Sequence, residues 1–234
     1  MNVYKTSNIS ELIKGNSYVG RGIVIGKSAD GEKACVAYFI MGRSANSRNR
    51  IFAERDGAVF TEPFDSSKVE DPSLIIYAAL RKYENKLIVT NGDQTDTVYD
   101  FIKRGKGFEE ALETREFEPD KPNFTPRISG MLTFTDNDFD YKMSILKSAD
   151  AEGSACSRYT FSYPAVAGVG HFLHTYVCDG TPIPSFQGEP ERVALGNDID
   201  EFTALDDDNK ISLYVRFTDI ATGAEESRLI NKNK

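Results

Sequence analysis

The feature that most constrains this chain is a pair of apolar runs joined by a turn. SYVGRGIVIGK at 17–27 is rich in β-branched residues and predicts a strand. Ala-Asp-Gly at 29–31 supplies the turn, and KACVAYFIMG at 33–42 predicts the returning strand. Neither run alternates between apolar and polar, so both faces of the hairpin need cover. Such a hairpin belongs in an interior sheet of a layered fold.

The remaining runs extend that reading. DPSLIIYAALRKY at 71–83 predicts a helix, with Asp71 as cap, Pro72 in the first turn, and Leu74, Tyr77 and Ala78 on one face. KLIVTNG at 86–92 predicts a strand. TVYDFIKRG at 97–105, closed by Gly105, and FEEALETREF at 108–117 predict two short helices. ISGMLTFTD at 128–136 and YKMSILKS at 141–148 predict strands about an acidic turn, and GHFLHTYV at 170–177 and KISLYVRFT at 210–218 complete a second strand set. Strands, then helices, then strands is the order of an α+β fold, not of regular βαβ alternation. Two proline-rich stretches, EFEPDKPNFTP at 116–126 and DGTPIPSFQGEP at 179–190, predict long loops within that fold. Long ordered loops more often carry function than mere connection. Residues 1–16 are expected to form an extension with a short helix near 9–14, ahead of a single domain over 17–234.

Charge and cysteine content narrow the function. Lys plus Arg number 28 and Asp plus Glu 36, a net charge of −8. That balance argues against general nucleic-acid binding, which needs a broad basic surface, and against docking on an anionic membrane. The three cysteines, Cys35, Cys156 and Cys178, form neither a disulfide framework nor a CxxC metal pair. With no apolar leader and no membrane-length apolar run, a cytoplasmic protein is expected.

Four polar stretches offer chemistry. GRSANSRNRIFAER at 42–55 carries Arg43, Arg48, Arg50 and Arg55 against one acid, Glu54. A cationic island on an acidic protein suits capture of a phosphate by planar, bidentate guanidinium groups; it equally suits a solvated loop paired with surplus carboxylates. TNGDQTDT at 90–97 ends a strand in short polar groups. Those groups serve either as a turn and helix cap or as convergent donors to a small ligand. In FTPRIS at 124–129, Pro126 restricts where Arg127 points, at a ligand or simply at a sheet edge. GVGHFLHTY at 168–176 holds both histidines. On a strand His171 and His174 face opposite ways, so a two-histidine metal site is not expected; a proton shuttle and a structural histidine both remain open. There is no Walker loop and no GxSxG elbow.

In order, VGRGIVIGK, VAYFIMGRSANSR, TNGDQTDTVYDFIKRGKGFEEAL and TPRI resemble the archaeal-type IMP cyclohydrolase family and its bacterial relatives. The resemblance spans roughly residues 17 to 132, and GVGHFLHTYVCDGTPIPSFQGEP looks like the bacterial members. It implies a four-layer α-β-β-α sandwich resembling the N-terminal-nucleophile hydrolase fold. The implied activity is dehydrating closure of 5-formamidoimidazole-4-carboxamide ribotide to inosine monophosphate, by a homodimer or homotetramer. No cofactor and no metal are called for. The implied phosphate and substrate contacts are Arg43, Ser44, Arg48, Tyr38 and Thr97. The implied catalytic set is Tyr77, Asn91, Thr95, Asp96, Arg127 and His174, with the general acid left open among Tyr77, Asp96 and His174. The chain begins Met1-Asn2, so a terminal nucleophile requires cleavage to expose Ser17; neither autoprocessing nor amidohydrolase activity is expected. The alternatives are such an amidohydrolase, or a non-catalytic purine-nucleotide-binding partner of a formyltransferase that supplies substrate.

Overall fold

In the computed structural model, which describes residues 4–14, 16–69, 75–204 and 210–233, the expected hairpin lies at the centre of a six-stranded sheet. Strand β1 (Arg21–Lys27) pairs antiparallel with β2 (Lys33–Met41), Ile23 opposite Tyr38. Strand β10 (Val169–His174) flanks β1 and carries β11 (Glu191–Ala194) on its far side. Strand β12 (Lys210–Asp219) flanks β2 and carries β13 (Glu225–Asn231). Nearly every residue of β1 and β2 is buried, as runs without alternation require.

The second sheet is a seven-stranded antiparallel meander. Its strands follow chain order: β3 (Ile51–Arg55), β4 (Ala58–Glu62), β5 (Tyr77–Tyr83), β6 (Lys86–Thr90), β7 (Arg127–Phe134), β8 (Phe139–Ser148) and β9 (Cys156–Pro164). The helix expected over 71–83 is corrected here: Tyr77–Tyr83 is a strand between β4 and β6, while Asp71, Pro72 and Leu74 lie outside the described residues. Ala, Leu, Arg and Lys favour helices, but that preference is worth only tenths of a kcal/mol per residue. Burial inside a sheet outweighs it. The register slips by one residue at Val59/Phe60, opposite Ala78 and Leu80, so Tyr77, Ala79 and Leu80 all join the core between the sheets. A second correction concerns 42–55, where the expected loop contains the short helix α2 (Ala45–Arg48) and β3.

Three apolar clusters set the layering. The largest lies between the sheets and joins Ile23, Val36 and Tyr38 to Phe52, Val89, Ile128 and Tyr141. On the outer face of the seven-stranded sheet, α3 (Gln94–Lys103) and α4 (Phe108–Glu113) bury Val98, Phe108 and Leu112 against Ile88 and Met131. On the outer face of the six-stranded sheet, α1 (Ile9–Ile13) and the 3-10 turn Ile199–Ala204 cover Val24, Phe39 and Phe172. Truncating Phe108 to alanine would cost about 3–5 kcal/mol. The fold is therefore α+β, with two antiparallel sheets and few helices. Among the described residues no helix is long and apolar enough to cross a membrane.

Candidate functional site

A cavity of about 500 Å³ opens where β1 begins and β2 ends. Arg21, Arg50, Glu118, Thr125 and Tyr176 line its interior, and Tyr18, Arg43, Ser44 and Ser47 are among its outer residues. Both long proline-rich loops reach it, the first through Glu118, Asp120 and Asn123, the second through Ile183.

Arg21 is the first residue of β1. Its backbone N–H donates to Thr175 Oγ1 at 3.1 Å. The turn into it needs Gly20, whose φ is +78° and where a Cβ would lie 2.1 Å from Thr175 Oγ1. Arg50 directly precedes β3. Their exposures are 6% and 4%, yet neither forms an ion pair among the described residues, and Arg21 Nε, Arg50 Nε and Arg50 Nη1 have no hydrogen-bond partner. Leaving buried donors unmade costs about 1–3 kcal/mol each, and more when they are charged. Burial, and then the neighbouring Arg21 charge, lower the pKa of Arg50. Such an excess of buried, unanswered donors calls for an anionic or oxyanionic guest.

Glu118 is the buried acid facing them. It is 5% exposed, and its backbone N–H donates to Thr125 O at 2.9 Å. Burial raises its carboxyl pKa above the ordinary range, and Arg21, Arg127 and Arg50 offset only part of that. A carboxyl whose pKa is raised by burial inside a cavity is a candidate proton donor there. Tyr38 and Tyr77 join at 2.9 Å between hydroxyls, in electrostatic range of both arginines. Burial, with Tyr77 next, pushes the Tyr38 phenol well up, so it stays protonated. Thr125 Oγ1 meets the Tyr176 hydroxyl at 2.6 Å, and its N–H donates to Asp120 Oδ1 at 2.6 Å.

The outer part of the cavity is built by the start of α2. Ser44 caps that helix, and its hydroxyl and the Ser47 backbone and side chain bond reciprocally. The Arg43 guanidinium lies 5.2 Å over the Tyr18 ring, pairs with Asp179 and donates to Gly180 O at 3.0 Å. Arg48 closes the helix and is not among the cavity's lining residues; its carbonyl accepts from Asn233 Nδ2 at 2.7 Å.

Of the residues singled out from sequence, Arg43 and Ser44 line this cavity, while Tyr38 and Tyr77 lie within electrostatic range of its two buried arginines and Arg127 within range of Glu118. Arg127 donates to Gln94 Oε1 at 2.7 Å and pairs with Asp93 at 2.7 Å. Glu118 is within its electrostatic reach. Gly92 makes room for it, since a Cβ there would sit 2.4 Å from Arg127 Nη1.

The other residues lie elsewhere. Asn91 spends its amide on Pro126 O, Ile128 N and Gln94 Nε2, at 2.9, 2.8 and 3.0 Å, and so ties two strands to α3. Thr95 is buried against Thr90 Oγ1 at 2.7 Å, and Thr97 is half-buried in the first turn of α3. Asp96 is exposed and pairs with Arg81 at 2.6 Å, in a separate cleft of about 870 Å³. His174 packs between Phe172 and Phe186, and its Nδ1 lies 2.7 Å from Tyr176 O; burial lowers its pKa to about 4. His171 points to the opposite face, toward Tyr141.

Arg21, Arg50 and Glu118 are not distinguished by the sequence alone. A single arginine between glycines in an otherwise apolar strand was the available signal for Arg21. Arg50 stood in a flagged stretch without being distinguished from its neighbours. Glu118 had no signal beyond its place in a long loop.

A family model described as IMP cyclohydrolase-like protein matches residues 18–223. An IMP cyclohydrolase of Methanopyrus kandleri is 31% identical over 187 residues, which cover 73% of this chain and 89% of that protein. One of Methanothrix thermoacetophila is 34% identical over 120 residues, covering 50% and 58% of the two chains. One of Methanococcus aeolicus is 28% identical over 173 residues, covering 69% and 75%.

Proposed function

We propose that this chain, which belongs to the IMP cyclohydrolase-like family, closes the pyrimidine ring of 5-formamidoimidazole-4-carboxamide ribotide to give inosine monophosphate and water. The observation that carries the reading is the pair of buried arginines with unmade hydrogen bonds, facing a buried glutamate.

The reaction is intramolecular, so the substrate itself supplies much of the entropy of approach. The protein must hold the reactive rotamer, steady a developing oxyanion and move protons. In this reading Arg43, Ser44 and Ser47 grip the ribotide phosphate at the outer end. The base reaches inward, where the free N–H groups of Arg21 and Arg50 donate to the formyl oxygen. The carboxamide nitrogen attacks the formyl carbon as one of its protons leaves. The formyl oxygen takes a proton to become a hydroxyl, takes a second from Glu118 as the C–O bond breaks, and departs as water. The formamide nitrogen gives its proton to the Glu118 carboxylate, which completes the ring and restores the acid. The Tyr38–Tyr77 pair fixes the two arginines from behind and supplies a further donor. Arg127 acts as a positioning residue through Glu118. Asn91 and Thr95 support the joint that carries Arg127, and Thr97, Asp96, Arg48 and His174 have no direct part.

The two facing sheets with helices outside them support the N-terminal-nucleophile hydrolase-like sandwich. We assign the catalysis to the cavity and not to a terminal nucleophile. Ultraviolet absorbance of purified protein with the formylated ribotide and no folate tests the function. Ring closure that Arg50→Met abolishes supports it, whereas nucleotide binding without turnover would establish the non-catalytic reading. Turnover only by a chain whose intact mass begins at Ser17 would establish an amidohydrolase-type mechanism.

A further inference from the structure

Ring closure by the proposed route leaves one proton without a carrier. The carboxamide nitrogen sheds it on attack, and the formyl oxygen gains one as it becomes a hydroxyl. Both atoms are by then bonded to the same carbon, so direct transfer would pass through a strained four-membered ring. In that route Glu118 is the acid, so it cannot also accept this proton. A second proton carrier is needed at the cavity.

Three cavity-lining side chains form one row of hydrogen bonds. The Tyr176 hydroxyl meets Thr125 Oγ1 at 2.6 Å, and Thr125 Oγ1 in turn meets Asp120 Oδ2 in a short contact. Asp120 Oδ1 accepts the Thr125 backbone N–H at 2.6 Å. Donor supply fixes the direction of each bond. An aspartate at neutral pH accepts and does not donate, so the single hydroxyl proton of Thr125 is spent on Asp120. At its other contact Thr125 can then only accept, and Tyr176 donates. The Tyr176 oxygen keeps its lone pairs, and among the described residues it has no other hydrogen-bond partner.

The fold holds this row in place. The Tyr176 side chain is buried, and its ring stacks on Tyr18 with centroids 5.6 Å apart. Gly20 makes room for it, since a Cβ there would lie 2.6 Å from Tyr176 Cδ2. Thr125 is buried too, while Asp120 is half-buried, and its carbonyl accepts from Asn123 and Phe124 at 3.0 and 3.1 Å. The loop at 116–126 thus brings Glu118, Asp120 and Thr125 to one space. Burial is the main cause that raises the Glu118 pKa, and the Asp120 charge adds to it against Arg21, Arg127 and Arg50. A charged acceptor therefore favours the proton on the neighbouring acid, which separates the roles of the two carboxyl groups.

We propose that Tyr176, Thr125 and Asp120 form a proton relay that takes the carboxamide proton and returns it to the formyl oxygen. The relay rests on the ring-closure reading. As the C–N bond forms, the carboxamide proton moves to the Tyr176 oxygen, the Tyr176 proton to Thr125 Oγ1, and the Thr125 proton to Asp120. The same moves in reverse deliver a proton from Tyr176 to the formyl oxygen. Each hydroxyl gains a proton as it loses one, so the row ends as it began. Burial pushes the Tyr176 phenol up, which disfavours a free phenolate and favours concerted transfer. Tyr176 is the catalytic residue of the three, and Thr125 and Asp120 are positioning residues that act through it.

Single-turnover ring closure, followed by ultraviolet absorbance, tests the relay. Tyr176→Phe, Thr125→Val and Asp120→Asn should each slow the step by about 10²-fold or more, with KM changed only a few-fold. Thr125→Ser, which keeps the hydroxyl, should recover most of the rate. Melting curves verify that the variants are folded. In mixtures of light and heavy water, the rate of the original chain should bow below a straight line, because several protons move together. Thr125→Val should straighten that plot, which a merely structural threonine would not do. A Thr125→Val protein that keeps the original rate overturns the relay and leaves Tyr176 to shuttle alone. A straight plot for the original chain overturns it as well. An original chain that binds the formylated ribotide without closing it overturns the function, and the relay with it, so the two failures are told apart.

Discussion

Two cavities in this molecule are lined by cations, and they differ in how those cations are answered. In the larger cleft, Arg55 pairs with Glu62, Arg81 with Asp96, Lys82 with Glu225, and Arg216 with both Glu54 and Glu225. In the smaller cavity, Arg21 and Arg50 have no carboxylate in contact among the described residues and keep buried nitrogens unbonded. The first arrangement is self-sufficient and serves stability. The second is completed by a guest. Cation count and volume would select the wrong one; the carboxylate each buried guanidinium has or lacks separates them, since even Arg216 Nη1, which makes no hydrogen bond, lies 3.2 Å from Glu225.

The largest expected effect falls on the smaller cavity. Glu118→Gln keeps the shape and removes the transferable proton, so kcat for ring closure should fall by about 10²–10⁴ with little change in melting temperature. Because burial raises the folded pKa of Glu118, the original chain should lose activity as pH climbs through that raised value. The residual rate of the variant should lack that limb, and a pH–rate profile of both checks it.

Next in size is the opposite experiment on the larger cleft. Arg216 is 1% exposed, and Arg216→Ala strands Glu54 and Glu225 beside a void. Denaturant unfolding should show a loss of about 3 kcal/mol, while kcat of the folded fraction is kept. A large kcat loss at unchanged stability would erase the distinction between the cavities.

A smaller effect separates two neighbouring arginines. Arg43→Ala removes a charged contact at the cavity and should raise KM in proportion to about 1.5–3 kcal/mol. Arg48→Ala, at the end of α2, should raise it far less. Reversed magnitudes in steady-state kinetics would move the phosphate to the other end of that helix.

The smallest effect is on stability against pH. His171 and His174 are each lowered to about 4 from 6.5, first of all by burial. The unfolded chain therefore binds more protons than the folded one between those values, and stability falls as pH drops from about 6.5 toward 4. Melting temperature should decline across that window, and less steeply in His174→Gln.

Legibility from sequence followed physical range. The β1–β2 hairpin, the strands at 86–90, 127–134, 139–148 and 210–219, and helices α3 and α4 were readable, because apolar runs and turn residues act over a few positions. Strand β5 was misread because its composition favours helix, and only its place between β4 and β6 decides otherwise. Strands β3, β4, β9, β11 and β13 were missed, since short or half-exposed strands owe their form to partners distant in the chain.

The candidate site divides the same way. Arg43 and Ser44 were visible as a local cluster. Asn91, Thr95 and Asp96 were visible too, but as ligand groups, whereas the structure spends their polar atoms on the chain itself.

By itself, the sequence determined the buried hairpin, the α+β character, the two long loops that reach the cavity, and the family. The tertiary structure alone decided which arginines are answered. Pairing depends on residues far apart in the chain, such as Arg216 with Glu54, and so does burial without a partner, as for Arg21 and Arg50. A guanidinium's usefulness to a ligand is set by the partners it lacks, and no local pattern records those.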